Sequence, residues 1–292
     1  MVGTLGIVWG ATFLVIELAL AGISPAWLAA GRVTLAATLT LVIWIALTGG
    51  RLWSGRDRNW PGLCLIGALS TAVPYLCLAW AQTHVSSGLA GVSMAAIALI
   101  VLPLSHFALP DAKMTWRSSA GLCIGFVGVM ILIGGGAFRS TGDPLEPLGR
   151  LACLGAALSY SVSSVTMRRL PPADPLGLAA VPLLIGSCMI VPLALLLEGP
   201  PPLPAPETLG WIALLGFVPT AGANLLRVLV IRRAGPVFMS LTNYQVPCWS
   251  VIFGIVILDE PVEAKLFLAL ALILSGIGIS QWPALRRTIM RR

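Results

Sequence analysis

The chain has only three tyrosines, Tyr75, Tyr160 and Tyr244, and each falls deep inside a long apolar run. A phenol donates and accepts hydrogen bonds and ordinarily seeks the wet edge of an apolar layer. Set deep, each hydroxyl must meet a backbone carbonyl of a neighbouring helix or a polar partner in a hydrated cavity. Helical spacing supplies company. Thr220, Asn224 and Arg227 recur at i, i+4 and i+7, one stripe of a helix. Ser240, Asn243, Tyr244 and Pro247 form a similar stripe, and Ser164 lies one turn beyond Tyr160. Trp9, Phe13 and Glu17 share a third. Pro247 has no N–H to donate, so the carbonyl of Asn243 one turn earlier is left open. Aromatic faces, amides, hydroxyls and a guanidinium are the groups that hold a small molecule with polar and apolar parts. Serine and asparagine also act as glue between helices in an apolar medium, and both roles stay open here.

Glu17 is the one carboxylate inside an apolar run, which makes it a functional candidate by default. Arg32 falls at a similar depth on the next run, so a structural Glu17–Arg32 ion pair competes with a substrate or proton role. Arg227 lies near the end of its run, close enough for its long stem to carry the charge to the membrane surface instead. His84 and His106 lie near run ends with no acid nearby in sequence, and read as interfacial residues.

Covalent and metal chemistry lack their parts. The six cysteines, Cys64, Cys77, Cys123, Cys153, Cys188 and Cys248, stand singly in apolar runs, with no CxxC or Cys/His spacing for zinc or haem. No Walker A sequence exists to bind ATP. An intramembrane lipid enzyme would need an Asp-rich metal motif or paired histidines, and neither occurs. No catalytic residue, metal or cofactor is therefore expected.

The elements that position these groups follow from composition. The 292 residues are 58% hydrophobic and 10% charged, with mean hydropathy +0.95, whereas a soluble domain carries roughly 25% charged residues. A membrane span needs ~20 apolar residues. Ten such runs are found, at 2–21, 25–47, 61–83, 87–109, 116–135, 148–167, 176–197, 209–231, 236–258 and 264–282. The first lacks the basic flank and small-residue cleavage site of a signal peptide and reads as a retained span. With the N-terminus in the cytoplasm, thirteen of the 18 Lys and Arg residues fall inside: Arg51, Arg56, Arg58, Lys113, Arg117, Arg168, Arg169, Arg232, Arg233, Arg286, Arg287, Arg291 and Arg292. Arg139, Arg150 and Lys265 fall outside, and Arg32 and Arg227 lie within spans. Positive-inside sorting thus accounts for the net charge of +7, and nucleic acid is not an expected partner. Trp27, Trp44, Trp60, Trp116, Trp211 and Trp282 sit near span ends, as an interfacial belt should.

A constant offset carries Gly67 onto Gly216, Thr71 onto Thr220, Ala72 onto Ala221, Leu76 onto Leu225, Leu109 onto Leu258 and Asp111 onto Glu260. It maps spans three to five onto eight to ten. Five spans per half is an odd number, so the second copy is inverted, an architecture of transporters with a midplane site. The expected units are 1–135, an external connection at 136–147, and 148–292 with a basic tail.

The chain resembles the EamA branch of the drug/metabolite transporters. The resemblance is carried by Trp9-Gly10-Ala11-Thr12-Phe13 leading to Pro25 and Arg32. It continues from Arg233-Ala234-Gly235 through Asn243-Tyr244-Gln245-Val246-Pro247 to Leu258-Asp259-Glu260-Pro261. It implies an all-α membrane protein of ten helices in two inverted five-helix repeats, with a central cavity from helices 1, 3, 4, 6, 8 and 9. Relatives mostly move amino acids, other metabolites or cationic drugs outward, and some import sugars or vitamins. Glu17 departs from the pattern, since many relatives hold a neutral or basic residue there. Asp111 departs too, standing after Pro110 where Gly-Glu is usual.

The sequence therefore reads as a secondary transporter in the inner membrane, exporting a small metabolite such as an amino acid by alternating access. Export of organic cations held by Glu17 and aromatic rings is the alternative. The expected substrate contacts are Trp9, Phe13, Glu17, Tyr75, Tyr160, Ser164, Asn224, Arg227, Asn243 and Tyr244; the expected partners are the substrate and the lipid bilayer. Both termini are placed in the cytoplasm. A reporter active only in the cytoplasm, fused after Arg292, should give signal, and a silent fusion at normal abundance would reject the ten-span topology.

Overall fold

A computed structural model describes residues 1–85, 90, 93–94, 96–110, 115–133, 143–240, 242, 245–246, 248–249, 253, 268, 271–276 and 278–280. Within these residues ten helical segments succeed one another. They are α1 (Val2–Leu20), α2 (Pro25–Thr48), α3 (Trp60–Ala81), α4 (Ala96–Ala108), α5 (Trp116–Ile133), α6 (Glu146–Arg169), α7 (Pro175–Glu198), α8 (Pro206–Ala234), α9 (opening at Pro236–Ser240) and α10 (Ala271–Ser280). Six of them, α1, α2, α3, α6, α7 and α8, are long and apolar enough to cross a membrane. Large bare side chains such as Leu47, Phe107, Trp116 and Leu196 lie on the outer surface of the bundle, an exterior that suits lipid.

Local chemistry sets the helix ends. Proline stands in the first turn of α2, α3, α6, α7 and α8, where the missing N–H would be unpaired anyway. Asn59 caps α3 by accepting from Gly62 N–H at 2.8 Å, and Asp174 caps α7 by accepting from Gly177 N–H at 2.9 Å. At the end of α6, Arg232 donates to the carbonyls of Leu170 (2.8 Å), Pro171 (3.2 Å) and Met167 (3.3 Å), while Arg168 donates back to the Arg232 carbonyl. Two of the arginines that set the charge asymmetry therefore also tie α6 to α8. In the connection before α6, Asp143 meets His84 Nδ1 at 2.8 Å, and that hydrogen bond holds its carboxyl below the usual range. His84 thus pairs with an acid far from it in sequence.

α2 and α7 form the central post. Ala26, Ala29, Ala30, Val33, Ala36 and Ala37 pack with Leu183, Ile190 and Ala194, small residues letting the backbones approach. Thr34 and Ser187 hydroxyls meet midway at 2.8 Å. At one end Glu198 of α7 accepts from Ser24 Oγ (2.5 Å), Ala26 N–H (3.1 Å) and Trp27 N–H (3.2 Å), closing the start of α2. At the other end Asp174 N–H donates to the Leu52 carbonyl at 2.8 Å.

Each half then lends a helix to the other half's side of the post. α3 and α8 carry the same irregularity at matching places, a π-helical segment at Ala68–Ala72 and at Gly216–Gly222. Pro74 and Pro219 lack the N–H of a regular ladder, and the widened turns accommodate them. Thr71 and Thr220 donate their hydroxyls to the carbonyls of Gly67 and Leu215, both at 2.6 Å. Gly67 lies on α7 beside Ile185 and the Pro182 carbonyl, and Gly216 lies on α2 beside Leu35 and the Arg32 carbonyl. Spacing alone does not foretell these π turns, because periodicity records which face is apolar and not how the carbonyls are shared.

A Cβ at Gly67 would sit 2.6 Å from Ile185 Cγ2 and 3.1 Å from the Pro182 carbonyl oxygen. Gly67→Val should lower the thermal unfolding midpoint of detergent-purified protein, by about 1–3 kcal/mol of overpacking. Gly210→Val, where nothing lies within 4 Å, should leave it unchanged.

Candidate functional site

α1, α2, α3, α4, α6, α8 and the α9 segment line a partly open cavity. Its wall is mostly apolar, with Phe13, Ile16, Leu78, Met94, Ile97, Val101, Met239 and Val246. The polar groups are few and converge: Thr12, Arg32, Ser70, Tyr75, Tyr160, Ser164, Asn224 and Arg227.

Two guanidinium groups dominate. Arg32 is 7% exposed, and its Nε and Nη2 donate to one acceptor, Thr220 Oγ1, at 3.1 and 3.0 Å. Its Cζ lies 4.5 Å from the centre of the Tyr75 ring. Arg227 is 6% exposed, and its Nη2 reaches the hydroxyls of Ser163 and Ser164, both at 3.0 Å. Its Cζ lies 5.9 Å from the centre of the Tyr160 ring. Both serine hydroxyls in turn donate to the Tyr160 carbonyl, at 3.0 and 2.7 Å. A guanidinium offers five N–H donors, and neutral hydroxyls occupy only some of them. No lining residue among those described is acidic.

The remaining polar groups are set by backbone. Trp9 Nε1 donates to the Pro219 carbonyl inside the π turn at 3.2 Å, holding α1 on α8. Asn224 Nδ2 donates to the Ala179 carbonyl of α7 at 3.2 Å, which orients its amide.

Of the residues expected from sequence, Trp9, Phe13, Tyr75, Tyr160, Ser164, Asn224 and Arg227 are brought together on this wall. Asn243 and Tyr244, with Pro247, lie outside the described residues. Glu17 is not on the wall. It is exposed, one residue and so ~100° past Ile16 on α1, and one turn from the helix end at Leu20. The Glu17–Arg32 ion pair is corrected with it: Glu17 makes no ion pair among the described residues, and Arg32 turns inward to Thr220 and Tyr75. Arg227 does not reach for the membrane surface either, since the α6 hydroxyls and Tyr160 hold it inside. Arg32, Thr12, Ser70 and Ser163 are not among the contacts expected from sequence. An arginine inside a span is the available signal for Arg32, but the carboxylate at matching depth on the neighbouring span points it to the wrong partner.

The model of the EamA-like transporter family matches this chain twice, over residues 1–134 and 147–281. The chain belongs to the EamA-like transporter family. It is an all-helical, multi-pass membrane protein, and the two matches cover its two halves. It is 27% identical to the inner membrane transporter YedA of Escherichia coli strain K12, over 93% of this chain and 86% of YedA. It is 23% identical to the transporter YoaV of Bacillus subtilis strain 168, over 97% and 96%. A Streptantibioticus cattleyicolor protein named a probable terminal-alkyne amino-acid exporter is 24% identical, over 98% and 92%. A solved crystal structure shares the fold at TM-score 0.81, with 22% identity over 98% of this chain and 96% of that one.

Removing the shared acceptor tests the inward placement of Arg32. Thr220→Val leaves buried N–H donors without their partner, a loss of ~1–3 kcal/mol, and should lower the unfolding midpoint in detergent. Glu17→Gln should leave folded yield and midpoint at wild-type values; a clear drop for Glu17→Gln would restore the ion pair.

Proposed function

We propose that this EamA-like protein exports a small metabolite carrying a carboxylate and an apolar body, amino acids included. Export runs by alternating access, the two halves rocking about the cavity. The observation that carries the reading is the pair of buried arginines, which no acidic residue of the described wall neutralises. A buried guanidinium is costly unless an anion completes it, and a bidentate carboxylate matches its fork. The apolar remainder of the wall suits an aliphatic or aromatic tail. The relative named a probable terminal-alkyne amino-acid exporter is consistent with such a substrate. The lipid bilayer is the protein's medium, and the charge asymmetry supports a cytoplasmic position for both termini.

Leucine, 4-methylpentanoate and 3-methylbutylamine share a branched tail and differ in the charged head. In proteoliposomes, leucine and 4-methylpentanoate should be carried and compete with each other, and 3-methylbutylamine should do neither. Transport of the amine in preference to both carboxylates would overturn the reading.

A further inference from the structure

Resting on the proposed function, we infer that the cavity holds two successive carboxylate stations, Arg227 with Ser163 and Ser164 toward the cytoplasmic side and Arg32 with Thr220 toward the external side. The two arginines are not placed as one clamp. Arg227 lies two helical turns beyond Thr220 on α8, about 10 Å along the axis at ~1.5 Å per residue, and Thr220 is where Arg32 is anchored. The hydroxyls that anchor the two guanidinium groups thus stand on different turns and different helices, Thr220 on α8 and Ser163 and Ser164 on α6.

Depth separates them in the same sense. The backbone of Arg32 lies two turns inside the start of α2, and that of Arg227 two turns inside the end of α8, so the two side chains enter the cavity from opposite sides. The two constellations are also built alike. Each has a guanidinium beside a tyrosine ring, anchored by neutral hydroxyls that leave other fork N–H donors to an incoming anion. Two like sites at the two ends of one cavity give a carboxylate a partner on entry and another before release. A single deep clamp would hold the substrate at one depth and slow its departure. Arg32 and Arg227 are accordingly positioned as the specificity residues for release and for entry.

The test measures the half-saturating concentration of 4-methylpentanoate from each face separately, in proteoliposomes of defined orientation. Arg227→Gln should raise it about tenfold or more from the cytoplasmic face and much less from the external face. Arg32→Gln should do the converse. Arg227→Lys and Arg32→Lys keep the buried charge but lose the fork. They should show the same asymmetry more weakly, and they carry the test if a glutamine variant does not fold. Equal rises from both faces in each variant would overturn the two stations while leaving the carboxylate reading intact. No rise in any variant would overturn the stations and the assignment of the arginines to substrate. Preference of the wild type for 3-methylbutylamine would reject the underlying function instead.

Discussion

A guanidinium cannot be left bare inside a bilayer, and the interior is arranged around two that are buried there. In a medium without water every polar group must find its partner within the protein. Arg32 finds Thr220 and the face of Tyr75; Arg227 finds Ser163, Ser164 and the face of Tyr160. These partners are neutral, so they solvate the charge without cancelling it. A carboxylate partner would have made a closed structural pair. Hydroxyls and rings instead keep the site charged and open to an anion.

That arrangement depends on the frame. Thr220 can face Arg32 because α8 crosses onto α2, with Gly216 admitting the backbone of Arg32 and Leu35. The π turn rotates the second part of α8 relative to the first, and the Leu215 carbonyl at its start orients the Thr220 hydroxyl. With its proton given to Leu215, that hydroxyl keeps its lone pairs for the arginine. The matching turn in α3 lies just before Tyr75, the ring that covers the same guanidinium. The two π turns thus both serve Arg32, one carrying its anchor and the other preceding the ring that covers it. α2 and α7, tied at both ends by Glu198 and Asp174, supply the fixed post against which both turns are set.

Much of this architecture is legible in the chain. Hydropathy is a property of whole segments, so α1, α2, α6 and α7 begin and end within two residues of the runs read from sequence. Asn224 and Arg227 of the expected stripe reach one wall, and buried Thr220 holds Arg32 beside them, because side chains four and seven apart share a helix face. Pairing is not legible in the same way. Glu17 and Arg32 match in depth, but depth says nothing of azimuth, and Glu17 faces away from the bundle. His84 meets Asp143 across a distance in sequence that spacing does not record. The family resemblance helps where composition cannot, by nominating α1, α3, α4, α6, α8 and α9 for the cavity. It does not mark Arg32 as a lining residue on α2.

The same arrangement weighs against an organic cation as substrate. Aromatic rings attract cations by ~0.5–2 kcal/mol, and two tyrosines on a cavity wall would ordinarily invite that reading. Here the guanidinium of Arg32 already lies over the ring of Tyr75, and Arg227 is close to that of Tyr160. A second cation near either arginine meets repulsion of roughly 4 kcal/mol at ~4 Å and an effective dielectric constant near 20. That exceeds what either ring could return even were its face free. Glu17, whose charge would offset the penalty, lies off the wall. For a carboxylate the Coulomb sign reverses, and the fork N–H donors add directed hydrogen bonds to the attraction. The rings then act on the protein's own cations, and in the proposed function the apolar wall is left for the substrate's tail.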